Sequence, residues 1–162
     1  MVIEQFCIYA HTDREMRDRL DAHFSSARRE GLLVHHSDRD IGAGQDWQGV
    51  INQHLESADI ILLLISADFF VSNYIFDKEM ARALERHKEG SAVVIPVILR
   101  RCRWKIKELA HLQALPTDGK AITSFSDQDE GYVEVVESIV KCALEIKTKK
   151  EARAIFSVER PC

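Results

Sequence analysis

The sequence predicts an α/β fold in which helices cover both faces of a parallel β-sheet. Short apolar runs alternate with segments whose apolar residues recur at helical spacing, and this alternation is typical of β-α units. In addition, residues 60–65 are six consecutive apolar residues. Such a run suits a central parallel strand that is buried on both faces.

The apolar runs predict five strands. Pro96 lies inside the fourth run and removes one backbone donor, so we expect an irregularity there. Right-handed crossovers favour a doubly wound sheet, and we predict the flavodoxin-like five-stranded order 2-1-3-4-5. The predicted strands are residues 6–10, 32–34, 60–65, 93–99 and 121–123.

Helical patterns fill the intervals between the strands. Thr12 or Asp13 can cap the first helix and Gly31 ends it, while residues 66–73 are expected to form a loop. The clearest amphipathic pattern runs from Tyr132 to Ala143. Other helices are predicted after Asp46 and at about 74–87, and the connection 100–116 is expected to be partly helical.

Length and composition predict one domain, with a boundary near its C-terminal end. The chain has 162 residues and a net charge of -4, which does not favour a dedicated nucleic-acid binder. No apolar run approaches the roughly 20 residues of a membrane span, and no secretory signal is evident. Four cysteines without a CxxC pair suit a reduced, cytoplasmic setting. Residues 1–146 are predicted to form the domain, and 147–162 a linker or tail leading to a further domain.

Three motifs together resemble the Toll/interleukin-1 receptor, or TIR, family, in particular its prokaryotic NAD-cleaving effectors. They are FCIYAHTD at 6–13, DRDIGAGQDW at 38–47, and SADFFVSNY at 66–74 followed by Asp77-Lys78-Glu79-Met80. The second motif is similar to the loop called BB in this family. The resemblance covers about residues 5–145, and its strength lies in the order of the motifs on the predicted strands.

The resemblance implies a catalytic role for Glu79 and a role in self-association for the BB loop. The BB-loop residues are Asp40, Ile41, Gly42, Ala43 and Gly44. The residues expected to bind the substrate NAD⁺ are Phe6, Tyr9, Ala10, Asp38, Arg39, Ser66, Tyr74 and Trp104.

The chain also departs from the receptor members of the family. Ile8 and Ala10 stand where the opening motif often has serine, and Ala43 stands where the BB loop often has proline. Phe125 is followed by Ser126, so the Phe-Trp box of receptor TIR domains is missing. These departures weaken an interpretation as a receptor adaptor and do not affect Glu79.

The periodicity of its helix places Glu79 on the flank of an apolar stripe. By that criterion alone it is a boundary residue, solvated or paired with Arg82 or Lys78. The fold changes this interpretation, because ligands of open α/β sheets bind beyond the carboxyl ends of the strands. Cleavage of the nicotinamide–ribose bond passes through an oxocarbenium-like state, which one carboxylate can stabilise.

Trp47 and Trp104 are the two tryptophans. Trp47 lies on a regular apolar face, which favours a core position. Trp104 has charged neighbours, which makes stacking on an aromatic base more credible there. The basic run Arg100, Arg101, Arg103, Lys105 and Lys107 either holds the pyrophosphate or a partner, or forms a solvated face.

The first functional hypothesis is therefore an NAD⁺ glycohydrolase or cyclase, activated by self-assembly in a defence or cell-death response. The expected partners are NAD⁺, further copies of the chain and an upstream sensor domain or protein. No cofactor is expected besides NAD⁺ as substrate, and the seven histidines show no metal-ligand spacing. The alternative is a non-catalytic scaffold that signals through TIR–TIR contacts. A phosphoreceiver on the same fold is disfavoured, because Ser66 stands where it needs aspartate.

Overall fold

The sheet of the computed structural model, which describes residues 2–36 and 47–159, has four parallel strands in the order β2-β1-β3-β4. These are β1 (Ile3–Ile8), β2 (Leu33–His36), β3 (Ile60–Ile65) and β4 (Val93–Ile98). The six residues of β3 are fully buried, because helices cover both faces of this inner strand. The predicted α/β class and the central position of residues 60–65 are thereby confirmed.

Six α-helices and one π-helix accompany the sheet in the described part of the chain. The α-helices are α1 (Arg14–His23), α2 (Ser25–Arg29), α3 (Trp47–Ser57), α4 (Ala67–Val71), α5 (Ala81–Glu89) and α6 (Gln128–Glu159). The π-helix spans Ile75–Met80 and leads directly into α5. Short 3₁₀ turns lie at His11–Asp13, Thr117–Gly119 and Ile122–Ser124. The loop expected at 66–73 is wrong in part, because α4 occupies most of it.

Two apolar clusters lie on opposite faces of the sheet. The first cluster includes Phe6, Ile61 and Phe69 and takes in α4, α5 and the π-helix. The second cluster includes Cys7, Leu62 and residues of α1, α2 and α6. Successive residues of a strand point to opposite faces, and this is why neighbours such as Phe6 and Cys7 enter different clusters.

The prediction of a fifth strand at 121–123 is wrong. Residues Ile122–Ser124 form a 3₁₀ turn, and the Thr123 N–H donates to the carbonyl of Leu99, the residue after β4, at 3.1 Å. The place beside β4 is taken instead by Leu115, which forms an isolated parallel bridge with Val97. Pro116 follows Leu115 and has no N–H to continue a ladder, so the bridge does not grow into a strand.

The irregularity expected at Pro96 is not found, because β4 runs without interruption from Val93 to Ile98. The N–H of Leu115 donates to the Pro96 carbonyl at 2.8 Å, so residue 96 turns its backbone polar side away from β3. The missing N–H therefore falls on the outer edge of the sheet, where proline is tolerated.

Helix α6 continues far beyond the amphipathic pattern that predicted it. It extends from Gln128 to Glu159 and so includes most of the segment predicted as a linker. Lys150 pairs with Asp59, just before β3, so the helix reaches the amino edge of the sheet. Beyond that point Ile155 and Phe156 are 59% and 69% exposed. Across the described ranges, no helix has the length and apolar character needed to cross a bilayer.

Candidate active site

Several polar side chains follow β1, β3 and β4 at the point where each strand ends. Asp13 lies in the turn after β1, Ser66 comes directly after β3, and Arg100 stands two residues after β4. Because the strands are parallel, these segments meet at one edge of the sheet. This carboxyl edge is where open α/β sheets bind ligands.

A polar network with a buried centre joins the three segments. The Ser66 hydroxyl donates to an Asp13 carboxylate oxygen, and both side chains are almost fully buried. The Arg100 guanidinium donates to the same carboxylate through Nε at 3.2 Å and Nη2 at 2.8 Å. It also donates from Nη2 to Asp68 at 2.7 Å. We call Asp13, Ser66, Asp68 and Arg100 the edge network.

The edge network fixes α4 against the sheet. Asp68 lies in the first turn of α4 and also accepts a bond from the Thr12 hydroxyl at 3.0 Å. The hydrogen bond from Arg100, and then that from Thr12, hold the pKa of Asp68 below its ordinary value. The bond to Asp68 likewise raises the pKa of Arg100, so the pair stays ionised at neutral pH.

Glu79 lies in the π-helix that follows α4. Its side chain is 8% exposed, and Ile75 and Met80 on the same helix are buried in the first cluster. A π-helix bonds residue i to i+5, so Ile75 and Met80 share a face and Glu79 comes inward beside them. The α-helical periodicity placed Glu79 on the flank of the stripe. Single π turns occur frequently at functional sites.

The π-helix and α5 form one continuous helical unit. The C-terminal end of this unit is anchored at the opposite edge of the sheet. Arg86 on α5 is buried and donates to the carbonyls of Leu55 at 2.7 Å and Ala58 at 2.8 Å. Ala58 precedes β3, so Arg86 marks the amino edge. Glu79 stands about two turns earlier and is therefore held towards the carboxyl edge.

The structure divides the predicted substrate residues between the two faces of the sheet. Phe6 and Ala10 are buried in the first cluster, together with Ile75 and Met80 from the helix of Glu79. Tyr9 instead packs against the second cluster, and the guanidinium carbon of Arg17 lies 5.3 Å from the centre of its ring.

The remaining predicted substrate and assembly residues fall into three groups: Ser66 and Tyr74, Trp104, and those outside the described ranges. Ser66 is fully buried in the edge network, and Tyr74 is half-buried directly before the π-helix. Trp104 is half-buried at the margin of the first cluster. The remaining predictions lie outside the described residues: Asp38, Arg39, Asp40, Ile41, Gly42, Ala43 and Gly44. Trp47 is the first residue of α3, and its side chain also lies outside the described part of the structure.

Trp104 lies in the segment that follows β4 and packs over Gly119. A Cβ atom at Gly119 would stand 2.5 Å from a ring carbon of Trp104, so glycine is required for this approach. The neighbours Cys102 and Ile106 line a groove of about 520 Å³, and Phe76 from the helix of Glu79 lines its other side. The groove therefore connects the surroundings of Trp104 with those of the Glu79 helix.

Sequence reasoning missed the roles of Asp13 and Asp68. Asp13 was expected as a helix cap, but its side chain makes no capping bond and turns to Ser66 and Arg100 instead. The signal that could have found it is its place after a strand, since residues after parallel strands converge at one edge. Arg100 was recognised only as one member of a basic run.

The described cysteines and acidic residues do not suggest other chemistry. Burial raises the pKa of Cys7 and of Cys102, which disfavours the nucleophilic thiolate. No cluster of three or more His, Cys, Asp or Glu side chains suited to a metal ion occurs among the residues that the structure covers. Glu79 remains the candidate for the reactive group.

The strand order β2-β1-β3-β4, the helices on both faces and the polar carboxyl edge define an open α/β domain with a parallel sheet. A family model described as TIR domain matches residues 6–135, and the chain belongs to the TIR domain family. The resemblance inferred from the three motifs is thereby confirmed at the level of the family. TIR domains generally self-associate.

Two relatives place the chain more closely. It is 45% identical over 138 residues to the uncharacterized protein y4lF of Sinorhizobium fredii (strain NBRC 101917 / NGR234), covering 85% of this chain and 43% of that protein. The chain thus spans less than half of this relative. It is also similar to the TIR domain of the Toll-related receptor TRR-2 from Hydra magnipapillata. The TM-score is 0.55 at 26% identity, covering 68% of this chain and 81% of that one.

Proposed function

We propose that this TIR domain cleaves the bond between nicotinamide and ribose in NAD⁺, with Glu79 as the catalytic carboxylate. The observation that supports this proposal most directly is the position of Glu79. A glutamate that is 8% exposed, on a π-helix held towards the carboxyl edge where open α/β sheets bind ligands, is poorly explained as a solvated surface residue.

The chemistry requires little beyond a well-placed negative charge. The C1′–N1 bond breaks and its electron pair stays on the pyridinium nitrogen, so nicotinamide leaves as a neutral molecule without a general acid. Positive charge develops on the ribose ring, and the Glu79 carboxylate stabilises it. Water then adds to C1′ and loses a proton, or a nucleophilic atom of the same nucleotide adds to it and gives a cyclic product.

The surroundings of Glu79 include surfaces that can contact the aromatic bases of NAD⁺. Phe76 and Ile106 are half-buried and line the groove beside the helix of Glu79, so they offer apolar surface of the kind that aromatic bases pack against. In this proposal Trp104 and Tyr74 contact the bases, while the BB loop closes the site in the assembled state.

The decisive experiment incubates the purified chain with NAD⁺ at high protein concentration and measures nicotinamide by chromatography. Glu79→Gln keeps the size of the side chain and removes its charge, so turnover should fall by about 10²–10³. The matched control is Glu85→Gln, because Glu85 lies on α5 in the same helical unit and its side chain is 61% exposed. Turnover of Glu79→Gln close to that of the wild type would disprove the catalytic assignment.

The scaffold hypothesis predicts a different outcome of the same experiment. A domain that only signals through TIR–TIR contacts self-associates and releases no nicotinamide at any concentration. Light scattering on the assay samples distinguishes the two functions, because assembled and inactive wild-type protein supports the scaffold alone.

A further inference from the structure

The segment after β4 presents a row of positive charge to solvent. From residue 101 to 107 exposed and half-buried residues alternate. The half-buried ones, Cys102, Trp104 and Ile106, pack against the first cluster. The exposed ones are all cations: Arg101, Arg103, Lys105 and Lys107. We call these four residues the basic ridge.

The charges of the basic ridge are not neutralised within the chain. Arg100 is held by Asp13 and Asp68, but none of the four ridge cations pairs with a carboxylate from the described ranges. The backbone turns within this segment, because the Ile106 N–H donates to the Trp104 carbonyl at 2.7 Å, so the four cations form a curved line of charge. Inward anchors such as Trp104 hold that line in place, which distinguishes it from a mobile basic tail.

An acidic groove lies on the other side of the molecule. It has a volume of about 620 Å³ and runs between α1 and the start of α6. Its lining includes four carboxylates and one guanidinium: Glu15, Asp18, Asp127, Asp129 and Arg19. Arg19 and His23 already bind Asp129 at 2.8 and 3.0 Å, and Arg17 binds Asp18 at 2.7 Å. Glu15 and Asp127 form no ion pair with a described residue, so they supply the negative charge that remains in the groove. Met16 and Tyr132 contribute apolar surface to the groove.

The two surfaces belong to opposite layers of the fold. The basic ridge is anchored in the cluster on the face of α4 and α5, while the acidic groove lies among the helices of the other face. One copy therefore presents the ridge and the groove in different directions. A contact between the ridge of one copy and the groove of the next is head-to-tail, and such contacts build open arrays when they do not close into a ring.

We propose that the basic ridge of one copy docks into the acidic groove of a second copy of this chain. The charge complementarity between the two surfaces carries this inference, and it requires neither the BB loop nor NAD⁺ cleavage. A second copy fits better than a nucleic acid, because the chain has a net charge of -4 and the groove would repel a polyanion.

Reversing charge on each surface tests the contact. The ridge variant is Arg103→Glu with Lys107→Glu, and the groove variant is Glu15→Lys with Asp127→Lys. Sedimentation velocity at low salt should show self-association of the wild type weakened at least about tenfold in each variant. Rising salt should weaken the wild type in the same direction. The control is Lys88→Glu with Lys149→Glu, which changes net charge as the ridge variant does and should associate like the wild type.

A mixture of the ridge variant and the groove variant tests the contact more specifically than either variant alone. The ridge variant keeps an intact groove and the groove variant keeps an intact ridge, so together they can form one contact and then stop at a 1:1 complex. Asp127 also accepts a bond from the Asp129 N–H at 3.0 Å, so Glu15→Lys alone serves as a second groove variant that leaves this bond in place.

Three outcomes would overturn the proposal. They are association of the ridge variant equal to that of the wild type, a mixture that stays monomeric, and a wild type that is monomeric at all concentrations in low salt. Tight binding of a labelled single-stranded oligonucleotide, lost in the ridge variant, would assign the ridge to nucleic acid instead. None of these measurements depends on NAD⁺ cleavage, so the catalytic proposal is tested separately.

Discussion

Arg100 places its Nη2 atom 2.8 Å from a carboxylate oxygen of Asp13, and so joins the segment after β4 to the turn after β1. Asp13 is 2% exposed, whereas the Arg100 side chain is 42% exposed. The arginine is thus the neutralising partner of a carboxylate that water does not reach. The contact therefore ties two segments of the carboxyl edge to each other.

The edge network predicts that Arg100→Met destabilises the fold. Removing the guanidinium leaves the buried Asp13 carboxylate without its cation. Loss of one partner costs about 3–5 kcal/mol for a fully buried pair, and about 2 kcal/mol is expected here because solvent reaches Arg100. Urea unfolding measures the difference. Arg101→Met is the control, since Arg101 is exposed, and an equal effect of the two substitutions would contradict the network.

Trp104 and Gly119 should be energetically coupled. Gly119 has a φ of +73°, so Gly119→Ala costs about 1–2 kcal/mol of backbone strain and also drives a Cβ atom into the indole ring. Trp104→Ala should cost roughly 2–3 kcal/mol, below the value for a fully buried tryptophan. In the double variant the clash is absent, so Gly119→Ala should cost less than it does alone.

Thermal melts and denaturant titrations of the four proteins complete this cycle. Steady-state kinetics of the same proteins test the role of Trp104 in substrate binding. A raised KM for Trp104→Ala, measured where the variant stays folded, would support stacking on the nucleotide, and an unchanged KM would leave only the packing role.

Because of His87, the free energy of unfolding should fall in mild acid. Its Nδ1 accepts a bond from the Val94 N–H at 3.1 Å, and burial, followed by the charge of His111, lowers its pKa below 6.5. The neutral ring is therefore favoured in the folded state. As pH falls below about 6.5, the unfolded chain binds a proton that the folded chain resists, so stability falls until the folded pKa is reached.

The measurement is the free energy of unfolding at pH values from about 7.5 to 5. His87→Gln cannot take up this proton and should show a flatter pH dependence than the wild type. Parallel curves for the two proteins would mean that other groups cause the acid sensitivity.

Specific activity should rise steeply with protein concentration. An open edge in a single domain excludes water poorly, and exclusion of water makes one carboxylate effective. A neighbouring copy can supply the closure through the BB loop, so Ile41→Asp should block the rise by placing a charge in the contact. A dilution series with light scattering measures both quantities. Constant specific activity from a monomer would rule out activation by assembly.

The main features of the sheet could be predicted from the sequence, because buried strands consist of apolar residues that are recognisable as runs. Residues 60–65 had to be a central strand, since no exposed element tolerates six consecutive large apolar residues. The fifth strand was mispredicted because residues 121–123 have the composition of a strand but are drawn into a turn. Pro116 then prevents the bridge at Leu115 from lengthening.

For the candidate site, the motifs in the sequence were enough to single out Glu79 and to indicate the family. They could not show that a π turn brings Glu79 inward, because helical periodicity assumes 3.6 residues per turn. Nor could they show that Asp13, Ser66 and Arg100 meet, since Asp13 lies 53 positions from Ser66 and 87 from Arg100. Local pattern indicated the four strands that the structure has, but it did not reveal the turn at residues 122–124. Only the packing of those segments decides which distant charges become neighbours, because a buried carboxylate is stable only where its cation is brought to it.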